Sequence, residues 1–442
     1  FKQKTAYEIM PSLVGSEMCI RDSNSGWNNL LPTYNPKETL VDNIESDVLI
    51  IGAGFTGIAA AKRWERISKN DRIVIIDAST AGDSNSGRNS GFLLEVSLAN
   101  DANANDILRM KECNSLISET MRTIQDEIKN SVINSELNRT GVYRAAVSEI
   151  GIKSLNNYSK FLKSSGLDYD HLDRNQLEER LGTRLYKEGL YNPHCYLAQP
   201  AALIRSLIGT LSEKIELYEN TPAISLQRKG SKWVVKTPKS IIKTNKIIIA
   251  NNAFCSKLGF AESYISTIYT YAALTNVLDR NIIDSLGSND NWGILPAHRL
   301  GSTLRRTIDG RLMIRSFYDY GKERDNNEIS KMLAQKLIRR FPKLNKIDFD
   351  SVWGGTTGFT YNGGPIWGEF SKDLFISAGC NGGGIVKGTL FGKLLADLAN
   401  KKKTPDINKL FGKARWMPPE PIRKIGFKMI SMIERNKAKA EI

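Results

Sequence analysis

The stretch DVLIIGAGFTGIAAAKRWERISKNDRIVIID, residues 47–77, decides the fold. Residues 47–51 form a short apolar run that predicts a buried parallel strand, and residues 72–76 predict a second one. Between them, residues 55–67 are rich in alanine and carry apolar residues at helical spacing. A strand, a helix and a strand in this order indicate a β-α-β unit, so we expect a doubly wound parallel sheet.

The turn between the first strand and the helix reads GAGFTG, residues 52–57, which is a G-x-G-x-x-G pattern. Gly52 permits the tight turn, Gly54 lets the backbone approach a pyrophosphate, and Gly57 lets the helix and strand pack closely. The phosphates then meet the positive end of the helix. Asp77 ends the second strand, where it can accept hydrogen bonds from a ribose diol. The pattern predicts a dinucleotide site; the alternative is that the glycines only permit a turn.

Residues 86–91 read SGRNSG and are followed by Phe92 and Leu93. The segment resembles the S-G-R-N-G-G segment of the D-amino-acid oxidase and glycine oxidase superfamily, in which this loop wraps the pyrophosphate and flavin of FAD. Further segments resemble the same superfamily in the same order: residues 189–193 with 199–200, 219–222 with 246–253, 353–355 with 365–368, and 377–384. The resemblance covers most of the chain, and the branch it resembles most is the gamma-glutamylputrescine oxidoreductase type, whose members oxidise amines.

The resemblance implies an FAD-dependent oxidoreductase that oxidises the C–N bond of a small amine or amino-acid-like substrate. It implies hydride transfer from the carbon beside a neutral amine to flavin N5, hydrolysis of the imine by water, and reoxidation by oxygen or another acceptor. We expect FAD to be non-covalent, because Cys380, the cysteine nearest to the region where some relatives attach FAD, lies inside the last glycine motif. The residues assigned to the cofactor are Gly52, Gly54, Phe55, Thr56, Gly57, Asp77, Ser86, Gly87, Arg88, Asn89, Gly91, Ala223, Gly379, Asn381, Gly382 and Gly383.

The chain departs from the superfamily at one substrate-binding position. Amino-acid oxidases of this superfamily carry an arginine for the substrate carboxylate just after the glycines of the second motif. Here Gly354 and Gly355 are followed by Thr356 and Thr357. A simple D-amino acid is therefore not the expected substrate.

A predicted hairpin supplies a candidate catalytic residue. Asp309-Gly310 predicts a two-residue turn between residues 300–308 and 311–318. In that register Arg305 shares a face with smaller and apolar residues, whereas Arg306 and Arg315 point to a solvated face. Arg305 resembles in position, though not in type, a lysine that activates oxygen beside the flavin in the sarcosine oxidase branch. We predict that Arg305 is a charge partner of the reduced flavin or of an acidic substrate group; the alternative is an arginine at the surface or between domains.

The predicted fold class is α/β: an FAD-binding Rossmann-like domain with a parallel sheet, interleaved with an antiparallel-sheet substrate domain. The FAD-binding domain is expected to be discontinuous and to comprise residues 24–120, 190–262 and 350–400. The substrate domain is expected to comprise residues 121–189 and 263–349.

The two ends of the chain are expected to lie outside these domains. Residues 1–23 carry charges throughout and no apolar run, which predicts a non-native or disordered leader and not a secretory signal. Residues 401–442 form a C-terminal tail and helix, in which apolar residues recur every three or four positions among basic ones. We expect this helix to dock on the protein, with peripheral contact to a membrane as the alternative.

Composition excludes several classes of protein. With 62 basic and 47 acidic side chains the formal charge is +15, but the lysines are scattered, which argues against a nucleic-acid partner. Five cysteines without a C-x-x-C spacing predict a reducing, cytoplasmic environment. Three histidines, none at metal-ligand spacing, give no reason to expect a metal. No run of about 18 apolar residues predicts a membrane span.

Two other functions remain open from the sequence. Relatives of the superfamily act on modified tRNA bases, so a flavin-dependent tRNA-modifying domain is one alternative. A membrane-associated flavin dehydrogenase that passes electrons to a quinone through the basic C-terminal helix is the other.

Overall fold

The computed structural model describes residues 25–97, 105–438 and 441, so the predicted leader, residues 1–23, lies outside the described residues. The strands of the described part are β1 (Ile44–Ile51), β2 (Ile73–Ile76), β3 (Phe92–Leu94), β4 (Val142–Ala146), β5 (Asp170–Asp173), β6 (Glu188–Asn192), β7 (Cys195–Leu197), β8 (Ile215–Tyr218), β9 (Ser225–Lys229), β10 (Lys232–Lys236), β11 (Ile241–Ile249), β12 (Ser266–Thr275), β13 (Trp292–Pro296), β14 (Thr303–Arg306), β15 (Leu312–Tyr320), β16 (Phe349–Phe359), β17 (Ile366–Ser371) and β18 (Leu374–Ala378). The α-helices are α1 (Gly26–Asn29), α2 (Phe55–Ile67), α3 (Asn85–Arg88), α4 (Ile107–Ile128), α5 (Glu149–Ser165), α6 (Arg174–Leu181), α7 (Pro200–Gly209), α8 (Arg280–Ile283), α9 (Asn326–Arg340), α10 (Val386–Ala399), α11 (Ile407–Phe411) and α12 (Ile422–Ala438), and Asn252–Leu258 is a 3₁₀-helix.

The first large sheet is the predicted parallel one. Its strand order is β17-β18-β11-β1-β2-β8, with β10 and β9 attached to β11. The strands from β18 to β8 are parallel, and β17 is antiparallel to β18. Val48 of β1 lies opposite Ile73 on one side and Lys246 on the other, so the first strand of the motif sits inside the sheet and is buried. This placement explains why residues 47–51 read as a continuous apolar run.

The second large sheet has the order β16-β12-β15-β14-β13-β4-β6-β5. Its neighbouring strands are antiparallel except for the parallel pair β13 and β4. The buried face of α9, with Ile329, Leu333 and Leu337, packs in one cluster with Leu304 and Ile314 of this sheet. The expected fold class, a parallel sheet interleaved with an antiparallel one, is confirmed.

Two expected domain boundaries fall inside strands of the second sheet. The strand β16 occupies 349–359, although the expected boundary assigns residue 350 onward to the FAD-binding domain. The strand β6 spans the expected boundary between residues 189 and 190 and also belongs to the second sheet. The second sheet therefore takes more of the chain than the sequence predicted, because glycine-rich β16 pairs along its whole length with β12.

The C-terminal helix differs from its expected packing. The sequence favoured docking of Ile422, Ile425, Met429 and Met432 on the protein, but all four are more than half exposed on α12. No helix in the described part of the chain is both long and apolar enough to cross a membrane.

Helix α10 packs very closely on α2, and a glycine makes this possible. A Cβ added to Gly392 would lie 2.0 Å from the carbonyl oxygen of Thr56. We expect Gly392→Ala to lower the free energy of unfolding by about 1–3 kcal/mol, because an inserted methyl forces the helices apart. Urea denaturation followed by tryptophan fluorescence measures this change.

The matched control for that substitution is Gly426→Ala in α12. An added Cβ at Gly426 meets no atom within 4 Å. It should leave stability unchanged or raise it by up to about 1 kcal/mol, because alanine favours helix. Equal destabilisation by the two substitutions would contradict the packing argument.

Candidate active site

One cavity is lined by residues of both large sheets. It has an empty volume of about 1680 Å³, including the part that is open to solvent. Its walls come from the turn before α2, the loop around α3, the loop before α10, and strands β12, β14, β15 and β16. Three segments that are distant in sequence therefore meet the second sheet at one place.

The turn at residues 52–57 needs glycine at each of its three glycine positions. Gly52 has φ +111°, and a Cβ on it would lie 2.9 Å from the carbonyl oxygen of Ala250. A Cβ on Gly57 would lie 1.8 Å from the carbonyl oxygen of Gly52, which prevents α2 from approaching β1. A Cβ on Gly54 would lie 2.6 Å from Oγ of Ser86 across the cavity. At Gly54 the glycine turn at residues 52–57 therefore comes close to the segment at residues 86–91.

Asp77 lies directly behind this turn. Its Oδ2 accepts a hydrogen bond from the Ala53 amide at 2.7 Å, and its Oδ1 accepts from the Ser79 amide at 2.9 Å. Desolvation raises the pKa of the Asp77 carboxyl, and the hydrogen bonds from Ser79 and Ala53 oppose this rise. The second predicted residue on this side, Ala223, is buried in an apolar cluster with Ile51 and Val74.

Arg88 connects the loop around α3 to the second sheet through its backbone and its guanidinium. The guanidinium donates to the carbonyl oxygens of Asp83 at 2.6 Å and Gly354 at 3.1 Å, and it is only 6% exposed. The Trp353 indole donates in return to the Arg88 carbonyl oxygen at 3.0 Å. Nearby, the Thr356 amide donates to Oδ1 of Asn85 at 2.9 Å. These bonds hold the loop around α3 against β16.

The loop before α10 is held in shape by two asparagines. Asn381 has φ +49°, and its side chain accepts from the Thr360 amide at 2.9 Å and donates to the Gly379 carbonyl oxygen at 2.7 Å. Asn252 accepts from the Gly379 amide at 3.0 Å and lines the cavity. Sequence reasoning missed this role of Asn252, although the residue lies in the 246–253 segment that pointed to the family.

The predicted cofactor residues fall into two groups in the structure. Those that line the cavity are Gly54, Phe55, Thr56, Ser86, Arg88, Asn89, Gly91, Gly382 and Gly383. The residues that do not line it are Gly52, Gly57, Asp77, Gly87, Ala223, Gly379 and Asn381. Of these, Gly52, Gly57 and Asn381 shape the loops that carry the first group.

Helix N-termini and cationic side chains surround the cavity. The helices α2 and α10 begin at it, and neither has a hydrogen bond from a side-chain N-cap. Their first-turn amide groups and positive dipole ends therefore face the cavity, an arrangement that favours an anion. Arg88, Arg315 and Lys387 also line the cavity, and no Asp or Glu occurs among the described lining residues.

The hairpin has a different register from the expected one. Arg305 pairs with Met313, and Thr307 pairs with Arg311, so the loop contains three residues and ends at Gly310 with φ +84°. The prediction of a two-residue turn is wrong, because Gly310 takes the left-handed position of a three-residue hairpin loop. This one-residue slip places Arg315 on the same face as Arg305.

Arg305 lies behind the cavity wall. It is 1% exposed, its Nη1 donates to the Ala198 carbonyl oxygen, and its Cζ is 5.1 Å from the ring centre of Trp27. Burial lowers its pKa to about 10, against the opposing effect of the negative charge of Glu136. A Cβ added to Gly91 would lie 2.5 Å from Nη1 of Arg305. The structure thus places Arg305 in support of the Gly91 loop, while Arg315 lines the cavity.

Apolar side chains line part of the cavity, among them Phe92 and Leu94 of β3 and Leu295 of β13. The second sheet also contributes threonines of β12, β14 and β16, and Arg315 is the charged group on β15. Arg315 donates from Nη1 to the hydroxyl of Tyr318 at 2.9 Å, and its Cζ is 4.9 Å from the Tyr318 ring centre. An apolar wall with few polar groups is typical of a small-molecule site.

Comparison with known families decides the identity of this arrangement. Residues 47–398 match the DAO family, described as FAD dependent oxidoreductase. The chain belongs to this family. The DAO match includes nearly all of both large sheets, the three glycine-rich segments at the cavity and Arg315.

Several known proteins are similar to this DAO chain over at least four fifths of its length. The gamma-glutamylputrescine oxidoreductase of Escherichia coli is 24% identical over 387 residues, which cover 83% of this chain and 86% of the relative. A probable oxidoreductase OrdL of Haemophilus influenzae is also 24% identical, over 80% of this chain and 82% of the relative. The crystal structure of glycine oxidase from Geobacillus kaustophilus superposes with a TM-score of 0.72 at 20% identity, covering 85% of this chain and all of that one. The expected family and its FAD dependence are confirmed.

The cavity of this DAO protein fits FAD on its own geometry. The glycine turn leaves open the space that a Cβ on Gly54 would occupy, and the uncapped start of α2 faces that space. We predict that Gly54→Val abolishes or strongly lowers FAD content, because the side chain meets Ser86 and occupies the approach to the helix. The ratio of visible flavin absorbance to protein absorbance after purification measures this.

The control is Gly209→Ala, at a position in α7 where an added Cβ meets no atom within 4 Å. That variant should keep the flavin content of the unmodified protein. Full flavin content in a folded Gly54→Val variant would show that the turn does not hold the cofactor.

Proposed function

We propose that this FAD-dependent oxidoreductase oxidises the C–N bond of an amine that also carries a carboxylate. The observation that carries the proposal is a single cavity that joins the glycine loops to an apolar wall with an arginine on β15. When bound, FAD supplies the acceptor for the hydride that leaves the carbon beside the neutral amine nitrogen. Water then hydrolyses the imine to a carbonyl compound, releasing ammonia from a primary amine or a smaller amine from a secondary one.

The loops have separate roles toward the cofactor in this proposal. The start of α2 at Gly54, Phe55 and Thr56 meets the pyrophosphate, and Asp77 accepts hydrogen bonds from a ribose diol. Residues 86–91 and 382–384 enclose the flavin half. Cys380 lines the cavity, but we propose that FAD is held without a covalent bond.

The charge of the cavity supports a substrate with an acidic group. A diamine without a carboxylate would bring positive charge to a cavity that already holds three cationic side chains and no described carboxylate. A carboxylate would instead gain a charged hydrogen-bonding partner. The electrostatics therefore favour amino acids and carboxylated amines over simple polyamines.

Arg315 is the group best placed to bind that carboxylate. Its guanidinium is oriented by the Tyr318 hydroxyl and ring. The superfamily position that carries a carboxylate-binding arginine is occupied here by the Thr356-Thr357 segment of β16. Since β15 and β16 pair with opposite edges of β12, an arginine on β15 reaches the same cavity from the other side of β12.

We predict that Arg315→Met raises the KM for a carboxylated amine by roughly 10- to 100-fold, the value of one hydrogen-bonded charge. The KM for an amine without a carboxylate should change little, and Arg315→Lys should restore part of the loss. Steady-state kinetics on matched substrate pairs measures the difference. Arg184→Met, at an exposed arginine paired with Glu178, is the control and should leave both KM values unchanged.

The test of the function as a whole is anaerobic bleaching of the flavin. We expect at least one carboxylated secondary or primary amine to reduce the bound flavin, and acid precipitation to release the yellow colour into the supernatant. Colour that stays in the pellet would contradict non-covalent binding. Retained flavin that no member of a broad amine and amino-acid panel bleaches would contradict amine oxidation.

A membrane-associated flavin dehydrogenase is a second candidate, and the exposed apolar residues of α12 favour it. The two candidates differ in the electron acceptor. Rapid reoxidation of the reduced flavin by oxygen supports an oxidase. Slow reoxidation by oxygen together with fast reoxidation by a soluble quinone analogue supports the dehydrogenase.

A further inference from the structure

The C-terminal helix α12 presents its apolar residues to solvent. Ile422, Ile425, Met429, Met432 and Ile433 are between 49% and 59% exposed. At 100° per residue these five side chains lie within about 100° of one another around the helix. A contiguous exposed apolar surface of this kind marks an interaction site more often than a chance exposure.

The opposite side of α12 is fixed to the protein. Phe427 packs on the ring of Tyr320 with centroids 5.3 Å apart. The Arg423 guanidinium donates to the carbonyl oxygen of Glu262 at 2.8 Å. Glu434 pairs with Arg299 at 3.0 Å. Because Arg423, Phe427 and Glu434 share one side of the helix, these contacts hold the apolar face outward.

Basic residues flank the apolar face. The helix carries Arg423, Lys424, Lys428, Arg435 and Lys437 and a single acidic residue, Glu434. The Glu434 carboxylate lies against Arg299 and His298, so its negative charge is compensated by groups of the protein. Lys424, Lys428 and Arg435 are exposed between the anchored side and the apolar face. The outward surface of α12 is therefore both apolar and cationic.

We propose that α12 is a docking surface for anionic lipid, lying in the plane of the bilayer interface. Apolar side chains enter the boundary between headgroups and acyl chains while flanking lysines and arginines meet the anionic headgroups. Charge complementarity favours this occupant over a second copy of the chain, because two copies of the same cationic face repel each other. The surface lies outside the cavity, so the proposal is independent of the substrate and of the electron acceptor.

Vesicle flotation of the full-length FAD-loaded protein tests the proposal. We expect the protein to float with vesicles of phosphatidylcholine and phosphatidylglycerol, and to bind vesicles of pure phosphatidylcholine at least tenfold more weakly. High salt should weaken the binding. Absence of binding to the anionic vesicles, or equal binding to both kinds, would overturn it.

Two sets of substitutions separate the apolar and the charged contributions. Ile425→Ser with Met429→Ser should lower vesicle binding at least tenfold, as should Lys424→Gln, Lys428→Gln and Arg435→Gln together. Melting temperature and flavin content should stay unchanged because these side chains are exposed. Val132→Ser, at a fully exposed apolar residue far from α12 in sequence, is the control and should bind like the unmodified protein.

Self-association is the competing outcome. Sedimentation velocity without lipid should show the same molecular mass for the unmodified protein and for the Ile425→Ser, Met429→Ser variant. A dimer that this variant dissolves, together with no vesicle binding, would overturn the lipid proposal and assign the face to a second copy.

Discussion

The site depends on the close approach of Gly57 to the backbone of Gly52 in the glycine turn at residues 52–57. Gly57 lets the first turn of α2 lie against the Gly52 carbonyl, where a Cβ would be only 1.8 Å from that oxygen. The start of α2 is thereby fixed at the carboxyl end of β1, between β2 and β11. Helix α10 then packs on the same helix through Gly392, which brings its own N-terminus to the cavity. Two helix N-termini and the loop around α3 can converge only because these glycines carry no side chain.

Local patterns along the chain could be predicted because they are set by neighbours in sequence. The apolar run at 47–51, the glycine turn and the helix at 55–67 follow from burial and spacing alone, and the structure has all three. The later antiparallel sheet was also expected from its strand-like pieces. Its extent was not, because β16 carries three glycines and several polar residues, and its place in the sheet depends on pairing with β12.

The hairpin shows how a small local error changes a functional assignment. Asp309-Gly310 fits a two-residue turn, but Ile308 joins the loop, and Gly310 alone takes the left-handed conformation. A shift of one residue reverses which side chains of β15 share a face with Arg305. Arg315 therefore moves from an expected solvated face to the cavity. The roles of Asn252 and Asn381 were beyond sequence reasoning for another reason: their side chains accept hydrogen bonds from the amides of Gly379 and Thr360, which only the folded chain brings near.

The bond from Arg88 to Gly354 joins residues that are 266 positions apart. A chain is synthesised from its N-terminus, and its domains fold as they emerge. The glycine turn and the loop around α3 are made early, but β16 and the loop before α10 are made last among the segments that form the cavity. The nascent chain therefore lacks part of the cavity wall during most of its synthesis. A product truncated before β16 would lack both the partner of Arg88 and one wall of the cavity.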